Sequence, residues 1–293
     1  MTKGSGWSVL VATDGTREAR AAVAAAAAFP WPSGTRASGV VVRTFVPEGR
    51  PASFMKAFDR VYRRVATAAQ RVLAARWPGA EVAVVDARPA DGILGVAKRS
   101  RTRVIVMGSR ARGRLARLLL GSVARTVVYR APCAVLVVRG RSREFTRFVI
   151  GIDGSAGSRR AVDLVARLQV PRGGHVRLVA VVEPLRTPAM PPVPLPIRQD
   201  VAALAAKENA RRLTNARRHL GSAERRLERT KWTVRTTVRE GAPLSELLAA
   251  ATEAEAHALV VGPRGVSGAE RLLLGSVADG VLSHSPLPVL LVR

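Results

Sequence analysis

Two short segments of this chain end an apolar run on a carboxylate. VLVATDGT at 9–16 and FVIGIDGS at 148–155 both finish in Asp-Gly-Thr/Ser, which puts Asp14 and Asp153 where a strand would give way to a helix. A carboxylate there can accept hydrogen bonds from the hydroxyls of a ribose. With Thr16 or Ser155 it can equally cap the free amides of the following helix, and the residues leave both readings open. Further along, VIVMGSRARGRLARLLLGS (104–122) and ALVVGPRGVSGAERLLLGS (258–276) each follow an apolar run with small residues at its end, three later and ten after that. The second reads Gly262, Gly265, Gly275 and Ser276; the first reads Gly108, Ala111, Gly121 and Ser122. Glycine there lets backbone approach an anionic ligand, and Gly-Ser opening a helix aims free amides and the positive dipole end at a phosphate. The competing reading of the glycines is turn geometry.

Ala111 breaks the pattern. If its position needs a positive φ, the Cβ costs about 1 kcal/mol or more and narrows the space for phosphate. Arg110 and Arg112 flank it and could attract a triphosphate, whereas Val266 stands opposite Arg112 in the second segment. Neither GxxxxGK[ST] nor a GxGxxG after a strand occurs, so P-loop hydrolase and dinucleotide dehydrogenase readings lose support. His175, His219, His257 and His284 lack the HExxH arrangement, and the single Cys133 can form neither an internal disulfide nor a Cys-rich zinc cluster. No metal site is expected, and Cys133 reads as buried filler.

These segments belong to a duplication. Residues 115–139 and 269–293 share 14 identities in 25 positions at an offset of 154, while the two Asp-Gly segments lie 139 apart. The 15 extra residues fall in the second copy, and the proline-rich EPLRTPAMPPVPLPIRQD (183–200) reads as the surface loop that holds them. A boundary in GRSREFT (140–146) divides the chain into 1–142 and 143–293.

The elements that must position the residues alternate between apolar runs and helical periods, the pattern of a parallel sheet covered by helices on both faces. Strands are predicted at 8–13, 37–45, 81–87, 103–107 and 134–138, then at 147–152, 175–182, 232–239, 258–261 and 289–292. The clearest helix carries Phe54, Phe58, Val61, Val65, Ala68 and Val72 in one apolar stripe, read as core. Its counterpart runs from about 200 to 228. In such a sheet ligands bind beyond the carboxyl ends of the strands where connections leave toward opposite faces, here strands one and four of each copy.

Two copies of a strand-end Asp plus Gly-x2-Gly-x9-Gly-Ser before a helix resemble the universal stress protein family in its tandem form, over the whole chain. The resemblance implies two doubly wound five-stranded parallel sheets, each ordered 3-2-1-4-5, and its glycine motif marks the branch that binds ATP, with or without Mg2+. Carried over residue by residue, Asp153 would contact ribose, Val181 the adenine edge by its backbone and Gly262 the ribose region, while Gly265, Gly275, Ser276 and Val277 would hold the phosphates. The matching positions in the first copy are Asp14, Val42, Gly108, Ala111, Gly121, Ser122 and Val123. Ala111 makes the second copy the stronger site. Members pair the last strand with its counterpart in another domain, so the copies are expected to pack as an intramolecular pseudo-dimer, and a homodimer of the tandem chain is a further expectation.

Length fits two globular units, since 293 residues at roughly 150 per domain makes two. Hydrophobic residues at 47% and charged residues at 24% exclude wholesale disorder and fibre-like repeats. Arg, Asp or Glu interrupts every apolar run before it could span a bilayer, and the amino terminus shows no export pattern, so a cytoplasmic, membrane-free protein is expected. Charge is the abnormal quantity: 48 basic residues against 21 acidic give +27, with 26 and 7 in positions 1–143 and 22 and 14 in the rest. Eight basic residues between Lys98 and Arg117 meet no acid, which is compositional drift or the footprint of a weak, salt-dependent polyanion binder. Aromatic residues at 4% offer few stacking platforms for bases. The leading expectation is a stress-response regulator in which ATP occupancy, not turnover, is the signal; polyanion binding and slow ATP hydrolysis are the rivals. No general base or paired carboxylate supports hydrolysis.

Overall fold

The computed structural model describes residues 6–44, 51–109, 120–140, 144–185, 194–263 and 274–293. The first copy comprises β1 (Ser8–Ala12), α1 (Arg17–Ala28), β2 (Arg36–Arg43), α2 (Ala52–Ala74), β3 (Val82–Asp86), α3 (Pro89–Arg99), β4 (Val104–Gly108), α4 (Ser122–Arg130) and β5 (Ala134–Val138). The second comprises β6 (Arg147–Gly151), α5 (Ala156–Ala166), β7 (His175–Val182), α6 (Leu195–Glu228), β8 (Thr233–Glu240), α7 (Pro243–Glu253), β9 (Ala258–Val261), α8 (Ser276–His284) and β10 (Val289–Leu291). Strand order is β3-β2-β1-β4-β5-β10-β9-β6-β7-β8, so each copy has the order 3-2-1-4-5 and the two join into one ten-stranded sheet.

Strands within a copy are parallel; the junction β5–β10 is antiparallel, pairing Val137 with Val289, Leu136 with Leu290 and Val135 with Leu291. These strands lie in the middle of the sheet and are buried on both faces, which is why they read as unbroken apolar runs. The outer strand β8, TVRTTVRE, keeps polar and charged residues along its length, a sequence that discourages further pairing.

Alternation along the strands sends side chains to two apolar layers. Val9, Val11, Val104 and Val106 meet α1, α2, α5 and α6, while Leu10, Ile105, Val135 and Val137 meet α3, α4, α7 and α8. On the first layer the copies are stitched by aromatic rings: Phe29 lies 5.0 Å from Phe145 and 5.8 Å from Phe148, which lies 5.4 Å from Trp232. Across the seam Arg139 donates to the Leu282 carbonyl in α8, and Arg293 donates to the Val128 and Tyr129 carbonyls in α4 at 2.8 Å each.

Three expectations need correction. The stripe on α2 is not core: Phe54, Val61 and Val72 are 46%, 56% and 43% exposed, and the buried row is Ala66, Ala69 and Leu73. Small alanines let the helix lie close on the sheet, which turns the larger side chains sideways. The proline-rich segment does not stay irregular to residue 200, because α6 begins at Leu195 with Pro196 in its first turn, where a missing N–H costs nothing. Cys133 is only partly buried, although burial still pushes its thiol up to about 11. Among the described residues no helix is long and apolar enough to cross a membrane, and no cluster of metal-ligating side chains forms.

Truncating Leu290 to Ala is expected to lower the unfolding free energy by about 2–5 kcal/mol, measured by urea denaturation, because the side chain is fully buried at the seam. A second test concerns His257, whose Nδ1 accepts a hydrogen bond from the Thr146 N–H at 3.2 Å and whose burial pulls its pKa below the usual histidine value. The folded state then resists a proton that the unfolded chain accepts. Stability should therefore fall as pH drops below about 6.5 toward the depressed folded value, and His257→Asn should flatten that slope.

Candidate functional site

β1 ends at Ala12, and the chain turns through Asp14-Gly15 into α1; β6 ends at Gly151 and turns through Asp153-Gly154 into α5. Asp14 Oδ1 accepts from the Thr16 N–H at 3.0 Å and the Thr16 hydroxyl at 2.6 Å, and Asp153 Oδ1 accepts from the Ser155 N–H at 2.9 Å. Thr16 and Ser155 in turn cap the helices by accepting from the Ala19 and Ser158 amides. The capping role is thus realised in both copies, and both carboxylates stay exposed at the carboxyl edge of the sheet. Gly15 and Gly154 have φ of +77° and +78°, a conformation that excludes most other residues from the turn.

Neighbouring strands supply the rest. The Thr13 N–H donates to the Val40 carbonyl, whereas the Ala87 N–H reaches the Arg43 carbonyl from the other side. Peptide groups alternate sides along a strand, so Val42 points its N–H and C=O toward the β1 side, past the last rung. The second copy repeats this: the Ile152 N–H meets the Val179 carbonyl, the Gly241 N–H meets the Val182 carbonyl, and Val181 faces the crevice beyond β6.

Gly108 and Gly262 end β4 and follow β9. A Cβ on Gly262 would stand 2.6 Å from the Gly157 carbonyl carbon and 2.9 Å from the Ser158 nitrogen; one on Gly108 would stand 2.8 Å from the Glu18 carbonyl carbon. These glycines therefore let the first turns of α5 and α1 pass directly over the strand ends, a packing reason independent of any ligand. Gly121 and Gly275 are the N-cap residues of α4 and α8, in extended conformations open to any residue and without a side-chain cap. Their N–H groups return to the Ser109 carbonyl at 3.3 Å and the Pro263 carbonyl at 2.8 Å, which holds each helix start beside its strand end. The amides of Ser122, Val123, Ser276 and Val277 open those helices and have no partner within them. Helices α1 and α4 lie on opposite layers, as do α5 and α8, so each crevice sits at a switch point.

Ala111 and Gly265 lie outside the described residues, as do Arg110, Arg112, Arg114 and Arg117. Of the basic run, the described residues Lys98, Arg99, Arg101 and Arg103 precede β4 in the chain.

Three features escaped the sequence reading. Arg20 and Arg159 donate to the Gly15 and Gly154 carbonyls at 3.1 and 2.6 Å, buttressing the two Asp-Gly turns; their 139-residue spacing, the same as between Asp14 and Asp153, was the available signal. Val65 packs on Gly15, and at the equivalent place the His219 ring packs on Gly154. Tyr129 in α4 donates to Asp279 in the first turn of α8 at 2.8 Å, a bond between copies.

A duplicated doubly wound sheet with a crevice at each switch point, opened by a strand-end carboxylate and a glycine-capped helix, defines the class. The universal stress protein family profile matches residues 8–139 and 144–293, and the chain belongs to that family. It is 31% identical over 204 residues to a universal stress protein of Mycobacterium tuberculosis, a match spanning 66% of this chain and 63% of that relative's length. It is 31% identical to the universal stress protein YxiE of Bacillus subtilis over 51% of this chain and 99% of that one. Among solved structures, a universal stress protein from Archaeoglobus fulgidus shares the fold with a TM-score of 0.66 at 19% identity, covering 98% of this chain and 96% of that one.

The two glycine types predict different costs. Gly262→Ala should destabilise the chain by about 1–3 kcal/mol because the new methyl meets backbone atoms. Gly275→Ala should cost less than about 1 kcal/mol, a helix-capping effect alone. Thermal or urea unfolding of the two variants checks the order.

Proposed function

We propose that the chain is a stress-response regulator that binds ATP in these crevices and signals through occupancy. The observation that carries the reading is the start of α8, where amides without intrahelical partners and the positive dipole end stand beside the β9 terminus. Asp153 would hold ribose through the oxygen not used in its turn, the Val181 N–H and C=O would meet the adenine edge, and Gly275, Ser276 and Val277 would hold phosphate. Asp153 would help hold Mg2+ where it accompanies the nucleotide, and the ion would supply positive charge against the phosphates. Gly262 contributes by packing, since its missing Cβ brings α5 onto the strand end. Asp14, Val42, Gly108, Gly121, Ser122 and Val123 repeat the arrangement in the first copy.

The copies differ in the charge of the helix that would face phosphate. The fourth residue of α4 is Arg125, and its equivalent in α8 is Asp279. A first-turn cation opposes the helix dipole but attracts a polyphosphate; a first-turn acid does the reverse, by about 0.3–1 kcal/mol at exposed positions. The Tyr129 hydroxyl binds Asp279 and offsets part of that penalty in the second copy. We assign the second copy as the principal site because it retains Gly265.

Gly275→Asp/Ser276→Asp puts two carboxylates where phosphate would dock. Isothermal titration with ATP should show binding to the nuclease-treated wild type and at least about tenfold weaker binding to the variant, since removing about 1.4 kcal/mol suffices for that factor. Unchanged melting would exclude unfolding as the cause. Equal binding by both proteins, or none by the wild type, would overturn the assignment.

A further inference from the structure

The excess positive charge is not spread evenly over the molecule. The helices of one layer, α1, α2, α5 and α6, carry 17 basic and 7 acidic residues among 80, whereas α3, α4, α7 and α8 carry 4 of each among 40, half the density of basic residues. Compositional drift would load both layers. Within the charged layer, the outward side of α2 concentrates the effect. At 100° per residue, Arg60, Arg64 and Arg71 fall on the side opposite the buried row Ala66, Ala69 and Leu73. With Arg63, Thr67 and Ala68 they line a shallow groove of about 270 Å3.

Arg63 pairs with Asp59 at 2.6 Å, and Asp59 also holds Arg43. Among the described residues Arg60, Arg64 and Arg71 have no carboxylate partner, and all three are exposed. Three cations one and two helical turns apart on one helix, without a carboxylate partner among the described residues, present a row of positive charge that suits an extended polyanion. The exposed apolar residues Phe54, Val61 and Val72 lie on the flank of the helix, so an outward approach meets guanidinium groups first. That order disfavours a bilayer, which needs the apolar side pointing outward. A second copy of the chain would bring the same charge against itself. The rings of Phe54, Phe58 and Tyr62 contact one another, at 5.9 and 4.9 Å between centres, and so serve the helix rather than a stack of bases.

We propose that the outer face of α2 is a docking surface for the phosphodiester backbone of double-stranded nucleic acid, with Arg60, Arg64 and Arg71 as its phosphate contacts and no reading of sequence. The surface belongs to the first copy. The equivalent positions in α6 are Thr214, Arg218 and Arg225, so one of the three cations is missing there. It is separate from both crevices and does not depend on nucleotide binding.

The test is fluorescence anisotropy of a labelled mixed-sequence duplex from 50 to 300 mM salt, using the intact chain, Arg60→Gln/Arg64→Gln/Arg71→Gln, and a control with the same charge loss, Lys98→Gln/Arg99→Gln/Arg101→Gln. Each neutralised phosphate contributes about 0.9 to the slope of log affinity against log salt. The α2 variant should therefore bind at least about tenfold more weakly at low salt with a slope shallower by about 2 to 3, and the control should lose less than about threefold. All six residues are exposed, and unchanged circular dichroism and melting would confirm the folds. Equal losses in the two variants, or no loss in the α2 variant, would overturn the proposal. So would a wild type that binds no duplex, or that binds phosphatidylglycerol vesicles in preference to duplex.

Discussion

Everything else in this molecule hangs on three rows of antiparallel pairing between β5 and β10. Both strands are short, wholly apolar and buried, and alone each would leave a sticky edge at the end of a five-stranded sheet. Pairing removes both edges at once. Because it is antiparallel, it relates the copies by rotation about an axis through the sheet. Helices of equal rank thus fall on the same layer, while the two crevices open at opposite ends of the sheet. Arg139 and Arg293, 154 residues apart, exploit the rotation: each reaches across to the last-turn carbonyls of the other copy's helix, α8 and α4. A cation suits that end of the helix dipole. The opposite ends of the same two helices open the crevices, so the seam fixes the elements on which anion binding would depend.

The duplicated frame has diverged where chemistry is cheapest to change. Backbone features are kept in both copies: the Asp-Gly turn with positive φ, the arginine on its carbonyl, the glycine under the first helix turn, the glycine cap. Side chains pointing into the shared space are not. Val65 is replaced by His219 at the pseudo-equivalent position, and Arg125 by Asp279. A backbone conformation fails abruptly when a Cβ clashes, as at Gly262, whereas exchanging an exposed side chain changes affinity by fractions of a kcal/mol to about 1 kcal/mol.

Legibility followed the same division. The strands themselves and the glycine-capped helices could be read because buried strands are continuous apolar runs and because the repeat displayed each motif twice, whereas strand order and the seam followed from the resemblance to the universal stress protein family. The orientation of α2 could not be read. Its buried row is built on Ala66 and Ala69, residues too small to dominate a pattern that also contains Phe54, Phe58, Val61 and Val72. Close approach rewards small side chains, while a periodicity count rewards large ones. The capping of α1 and α5 was one of two readings, and geometry shows Thr16 and Ser155 as the caps while Asp14 and Asp153 each spend one oxygen on the turn and remain exposed at the sheet's carboxyl edge. Proline in the first turn of α6 misled for a related reason: it ends helices from inside but is tolerated at their start.

The arginine row on α2 and the helix-end amides at the sheet's carboxyl edges are two different kinds of electrostatics. The guanidinium groups of α2 stand in water, where salt screens them within about 8 Å at physiological ionic strength. Helix-end amides in a crevice act at contact distance, on a group that must shed water to reach them, and salt weakens them far less. A small polyphosphate would gain more from the second arrangement, where contact with amides outweighs long-range attraction. A long polyanion gains more from the first because it can meet several cations without entering anything. Net charge alone could not have distinguished a field that steers from a surface that holds.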